Sequence, residues 1–122
     1  DTIMIRDIHA RHRDRFIGGS GEDRVDFRSK RGVTVDVPSA RAYGEGLDIL
    51  ISIEVFTGTA AADTMIGGEG PDTFKGKDGD DLLVGNGGDD RLYGQDGDDL
   101  LDGGPGDDVL RGGSGDNTIV DG

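Results

Sequence analysis

The sequence predicts an all-β fold, a parallel β-roll in which short strands and tight turns coil around a thin core. Three observations predict it. A nine-residue period runs through the second half of the 122 residues. Glycine recurs at two fixed positions of that period, and the chain holds 24 glycines, far above the roughly 7% of an average protein. One large apolar residue per nine is the only regular hydrophobic position, in a chain that is 32% hydrophobic and 5% aromatic.

From Gly67 the chain divides into GGEGPDTFK, GKDGDDLLV, GNGGDDRLY, GQDGDDLLD, GGPGDDVLR and GGSGDNTIV. Position 6 is Asp72, Asp81, Asp90, Asp99, Asp108 and then Asn117; position 8 is Phe74, Leu83, Leu92, Leu101, Leu110 and Ile119. Nine residues are too few for a helix and a turn. They suit a six-residue turn followed by a three-residue strand. Glycine is fixed at position 1 (Gly67, Gly76, Gly85, Gly94, Gly103, Gly112) and at position 4 (Gly70, Gly79, Gly88, Gly97, Gly106, Gly115). These glycines allow backbone angles closed to other residues, φ > 0 included. Strand alternation turns position 8 inward and positions 7 and 9 outward. Each repeat reverses the chain, so two repeats make one coil and stacked coils form parallel sheets on two faces.

Weaker copies lie upstream. GTAAADTMI (58–66) carries Asp63 and Met65 at positions 6 and 8, GGSGEDRVD (18–26) carries Asp23 and Val25, and YGEGLDILI (43–51) carries Asp48 and Leu50. Segments RGVTVDV (31–37) and SIEVF (52–56) read as non-repeat connections between them. The expected organisation is an irregular β-solenoid cap over 1–57 and a regular roll over 58–122, forming one continuous domain.

The net charge is −13. It sits almost wholly in residues 58–122, where four Lys/Arg face sixteen Asp/Glu; residues 1–57 hold nine against ten. Such acidity repels phosphate and argues against a nucleic-acid partner. A disordered acidic tail needs no period, so the fixed apolar position 8 argues for order. Collagen requires glycine at every third residue, which the repeats lack. An EF-hand loop requires an oxygen side chain at its fifth position, where the run starting at Asp78 has Leu82. There is no cysteine, no apolar run of membrane-span length and no signal-peptide core near the N-terminus. The chain lacks an initiator Met and stops at VDG just after the last repeat, so a module of a longer protein is expected.

The pattern GGxGxDxUx, with U a large apolar residue, resembles the nonapeptide of RTX (repeat-in-toxin) proteins, also called haemolysin-type calcium-binding repeats. The six clean repeats cover 67–120, and the degenerate copies extend the likeness to most of the chain. The resemblance implies a right-handed parallel β-roll with calcium ions in its turns. The physics agrees, because one inward apolar residue per nine buries too little surface to offset the ordering of nine backbones. Calcium, which takes six to eight carboxylate and carbonyl oxygens, would supply the remainder. Two ladders of ligands are expected from turns stacked two repeats apart. One holds Asp72, Asp90 and Asp108, extended upstream by Asp23 and Asp48. The other holds Asp63, Asp81, Asp99 and Asn117. The regular repeats then offer about five inter-turn sites (63/81, 72/90, 81/99, 90/108 and 99/117), with turn carbonyls completing each. The position-5 aspartates (Asp80, Asp89, Asp98, Asp107) are expected to face solvent.

By the same resemblance the parent protein leaves a Gram-negative bacterium by type I secretion, unfolded, and folds in extracellular calcium. The alternative is a polysaccharide-binding module, since similar repeats in alginate epimerases contact their polymer; Lys75, Arg91, Tyr93 and Arg111 would form its face. The opposite face presents Leu82, Val84, Leu100 and Val120 to a neighbouring domain or a second copy. Catalysis is not expected, there being no Cys, no HExxH and no GxSxG. His9 and His12 are expected on the surface of a degenerate turn.

Overall fold

The computed structural model describes residues 2–5, 15–44 and 47–121, and fourteen strands and no helix lie among them. The first sheet stacks β1 (Thr2–Ile5), β3 (Arg24–Phe27), β7 (Val55–Thr57), β9 (Thr73–Asp78), β11 (Arg91–Asp96) and β13 (Val109–Ser114), all parallel. The second runs β14 (Thr118–Val120), β12 (Leu100–Asp102), β10 (Leu82–Val84), β8 (Thr64–Ile66) and β4 (Thr34–Asp36), again parallel. It continues through β5 (Arg41–Tyr43), β6 (Leu47–Ile51) and β2 (Arg15–Ile17). Successive repeats from Thr64 onward alternate between the sheets, which is the two-sided coil of a β-roll.

Register follows from the repeat. Met65, Leu83, Leu101 and Ile119 pair in one sheet; Phe56, Phe74, Leu92 and Leu110 pair in the other. Inward position-8 side chains from the two sheets make a single core, completed upstream by Val25, Phe27, Val35 and Leu50. Phe56 meets Phe74 edge-on, ring centroids 5.6 Å apart, a favoured aromatic geometry. Two position-8 residues depart from the expected burial. Leu110 is half-buried and Ile119 is 49% exposed, because no described coil covers them.

Strand length differs between the sheets. The predicted three residues hold for β8, β10, β12 and β14, whereas β9, β11 and β13 run for six. In the longer strands Lys77, Gln95 and Gly113 are paired in register, and all three have positive φ (82°, 75° and 82°). Because the kink repeats in every coil, neighbouring strands bend together and the ladder resumes beyond it.

The two connecting segments prove to be repeats. Thr34-Val35-Asp36 of RGVTVDV pairs with Thr64-Met65-Ile66, and Val55-Phe56-Thr57 of SIEVF pairs with Thr73-Phe74-Lys75. Their spacing looked irregular because a hairpin is inserted into that coil. Its turn is Val37–Ala40, closed by a 2.9 Å bond from the Ala40 amide to the Val37 carbonyl. Pro38 stands at the second turn position, which its fixed φ suits. β4/β5 and β5/β6 are consequently antiparallel. Asp48 falls inside β6, opposite Ala42 in the second sheet, so it does not extend the Asp72 ladder as expected. His9 and His12 lie outside the described residues.

Candidate metal centre

The position-6 residues stand at the end of each turn, where the chain enters a strand. Their backbone carbonyls accept from the strand one coil on: Leu82 N–H to Asp63, Arg91 to Asp72, Leu100 to Asp81, Val109 to Asp90 and Thr118 to Asp99, at 2.8–2.9 Å. This fixes each Cα, and the side chain then folds back into the stack. Asp63, Asp72, Asp81, Asp90 and Asp99 are buried; Asp108 and Asn117 are half-buried.

One oxygen of each side chain is committed to the protein. Asp81 Oδ1 accepts the Asp63 amide, Asp90 the Asp72 amide and Asp99 the Asp81 amide, each at 2.8 Å. Asp108 Oδ1 accepts the Asp90 amide at 2.9 Å, and Asn117 Oδ1 the Asp99 amide at 2.8 Å. All these bonds cross one coil of 18 residues. One oxygen of each of these side chains is thus a backbone staple.

The other oxygen has a different environment. Oδ2 of Asp81, Asp90, Asp99 and Asp108 is buried without a hydrogen-bond donor. A desolvated carboxylate oxygen left unpaired is costly. Each lies against a position-1 glycine. A Cβ built on Gly94 would overlap Asp99 Oδ2 and stand 2.8 Å from the Gly112 carbonyl oxygen. One on Gly76 would overlap Asp81 Oδ2 and stand 2.9 Å from the Gly94 carbonyl; one on Gly85 would overlap Asp90 Oδ2, 2.7 Å from the Gly103 carbonyl. The bare backbone thus opens a cradle lined by a carboxylate oxygen and a carbonyl oxygen from the coil beyond.

Burial governs the electrostatics. It pushes the Asp81 carboxyl up to about 7 and Asp90 up to about 6, against backbone hydrogen bonds that favour the charged form; neighbouring ladder carboxylates raise both further. Burial raises Asp63, Asp72 and Asp99 as well. The ion pairs Arg24–Glu22 (2.7 Å) and Arg28–Asp26 (3.2 Å) involve no ladder carboxylate. A cation held by oxygens resolves this conflict. Among the described residues no three acidic or histidine side chains gather into a metal cluster, so a centre here draws chiefly on backbone carbonyls. Isolated carboxylates with many carbonyls suit a hard ion of flexible coordination such as calcium, and not zinc, which favours His and Cys ligands.

Fold and turns together define a calcium-binding β-roll. Residues 57–92 and 84–119 match the family model of the RTX calcium-binding nonapeptide repeat, with four copies. The chain belongs to this family. No individual curated protein matches it at a significant level.

Several residues take places the sequence did not reveal. Asp23 is buried just before β3, and the Asp23 amide donates to Glu54 Oε2 at 2.8 Å. Glu54 also accepts the Thr73 amide on its carbonyl, so it fills the position-6 place between Asp23 and Asp72. The signal was present in SIEVFTG, with an acid two residues before an apolar one and Gly58 two further on. In the second sheet Val33 holds the corresponding place below Asp63, its carbonyl accepting the Thr64 amide. The position-5 aspartates are exposed, as expected, yet they form a ladder of their own. Asp80, Asp89 and Asp98 Oδ1 accept the amides of Asp98, Asp107 and Asp116 at 2.8–3.0 Å.

Proposed function

We propose that this chain is a calcium-dependent folding module of a larger secreted bacterial protein, exported unfolded by type I secretion and ordered by extracellular calcium. In that state it presents and stabilises neighbouring domains, and it carries no catalytic site of its own. The observation that supports this reading is that the buried Oδ2 of Asp81, Asp90, Asp99 and Asp108 has no hydrogen-bond donor. Without a cation these charges oppose the fold; with one they close it. Asp81, Asp90, Asp99 and Asp108 would be the side-chain ligands, with the Gly94, Gly103 and Gly112 carbonyls beside the first three. Extracellular calcium modules bind at about 10⁻⁴–10⁻³ M, so the switch is expected in that range. A far-ultraviolet circular dichroism titration tests it. The β signal should be weak in excess chelator and rise to saturation in millimolar calcium; an identical signal in both removes the reading.

A second reading rests on the outer face of the first sheet. Lys75, Arg91 and Tyr93 line a groove of about 480 Å³ together with Arg24, Glu22 and Gln95. Arg111 stands beside Tyr93 one strand on. Glu22 is the one acid of that lining, and its carboxyl is lowered by Arg24 first and more weakly by Arg91 and Lys75. A cationic groove with an aromatic wall on an acidic protein suits an anionic polysaccharide. In affinity electrophoresis through a polyuronate gel, wild type should be retarded and the Arg91→Glu/Arg111→Glu variant less so. Equal mobility of the two excludes this face.

A further inference from the structure

The turn 85–90 carries a chemistry that its neighbours lack. Its second and third residues are Asn86 and Gly87, the one Asn-Gly pair in the chain. The corresponding pairs in the other clean repeats are Gly68-Glu69, Lys77-Asp78, Gln95-Asp96, Gly104-Pro105 and Gly113-Ser114. The second asparagine, Asn117, precedes Thr118. An Asn-Gly pair can close a succinimide ring. The deprotonated amide nitrogen of the glycine attacks the asparagine Cγ, a C–N bond forms, and the Cγ–Nδ2 bond breaks to release ammonia. Water then opens the ring on either side, giving aspartate or isoaspartate. One water enters, one ammonia leaves, and nothing is oxidised or reduced. Glycine favours the reaction because no side chain hinders its nitrogen and its backbone turns freely.

The folded roll holds both reacting groups elsewhere. Asn86 has a φ of 67°, in the left-handed region that asparagine tolerates. Its Nδ2, the leaving nitrogen, donates to the Gly67 carbonyl at 2.8 Å. The Gly87 amide, the attacking nitrogen, donates to the Gly68 carbonyl at 3.0 Å. Two successive carbonyls of the turn below therefore pin the two groups that the reaction must join. A hydrogen-bonded amide loses its proton only when its bond opens, so the attack waits on separation of the stacked turns. The turn above tightens the clamp. A Cβ built on Gly104 would overlap the Asn86 carbonyl and stand 3.0 Å from the Asn86 Cα, so the two backbones stack without a gap.

We propose that Asn86-Gly87 is a deamidation site of the unfolded chain, shut off by the stacked turns of the folded roll. Deamidation there removes the ability to fold. An aspartate carboxylate at position 86 sets an acceptor against the Gly67 carbonyl in place of the amide donor. An isoaspartate routes the main chain through the side-chain carbons. It lengthens the turn 85–90 by one backbone atom, between turns that leave no room. The pair thus limits how long the chain stays competent while unfolded.

Incubation of the full chain at pH 8 tests it, in millimolar calcium with the β signal intact and in guanidinium with the signal lost. Tryptic peptide 78–91 holds Asn86 as its only asparagine, so its mass gain on conversion of amide to acid reports this site alone. The excised peptide, aged in both buffers, corrects for the denaturant itself. Corrected conversion should be at least about tenfold faster in guanidinium, because the folded turn reacts only from its small open population. The inference rests on the calcium reading for its folded arm alone. A calcium arm with no β signal overturns both; an intact signal with a smaller ratio overturns this inference and leaves the calcium reading standing. A second measurement uses Asn86→Gln. The longer side chain closes a ring far more slowly, and glutamine suits this place, since Gln95 holds it in the next repeat with a φ of 75°. After equal ageing in guanidinium and return to calcium, wild type should lose β signal in proportion to its deamidated fraction, and the variant far less. Equal recovery of the two overturns the claim that deamidation blocks folding.

Discussion

Gly94→Ala is expected to lower calcium affinity by about 10–100-fold at one centre, the range seen when a group that orients a metal ligand is lost, although it adds one methyl group. Gly94 does not have positive φ, so alanine suits its backbone. The obstruction is spatial. The new Cβ overlaps Asp99 Oδ2 and meets the Gly112 carbonyl at 2.8 Å, the two oxygens that face each other in the cradle. Asp99 cannot swing aside freely, because its Oδ1 holds the Asp81 amide and its carbonyl holds the Thr118 amide. Either the coils separate or the carboxylate loses its staple. Gly70→Ala is the matched control. Nothing lies within 4 Å of a Cβ there, and φ is not positive, so calcium binding by calorimetry should match wild type. Equal affinity of the Gly94 and Gly70 variants contradicts the cradle.

Acid is expected to stabilise the calcium-free roll. The Asp81 and Asp90 carboxyls are raised to about 7 and about 6 by burial, above the roughly 3.9 of an unfolded aspartate. Between about pH 4 and 7 the folded chain therefore binds more protons than the unfolded one. Stability then falls as pH rises through that window. In calcium-free buffer the β signal should be stronger at pH 5 than at pH 8. Calcium reverses the sign, because it competes with protons for the same oxygens. The calcium concentration at half-saturation should rise as pH drops below about 7. A calcium-free signal no stronger at pH 5 than at pH 8 contradicts the burial of these charges.

Much of the roll was legible because a repeat states its own register. Glycine at 1 and 4, an acid at 6 and an apolar residue at 8 place turn, ligand and core wherever the nine residues recur cleanly. The reading weakened where the spacing broke. RGVTVDV and SIEVF carry the strand pattern, but the VPSA hairpin displaces them from the count, and Val33 and Glu54 hide the acid that marks the turn. Asp48 shows the opposite error, a local match to the repeat whose strand pairs elsewhere.

The sequence by itself determined the all-β coil, the period, the inward residues from Met65 to Leu101, the acidic ladders and the family, because each is set within nine residues or by their repetition. Only the tertiary structure decided what the glycines and aspartates do. Position 4 needs positive φ from Gly79 onward, while position 1 needs the absence of a Cβ, since a carboxylate and a carbonyl 18 residues on converge there. It also decided which aspartates keep an oxygen free for a cation. That depends on whether an amide or a hydroxyl reaches the carboxylate, as the Thr59 amide and hydroxyl reach Asp63 and the Gly68 amide reaches Asp72.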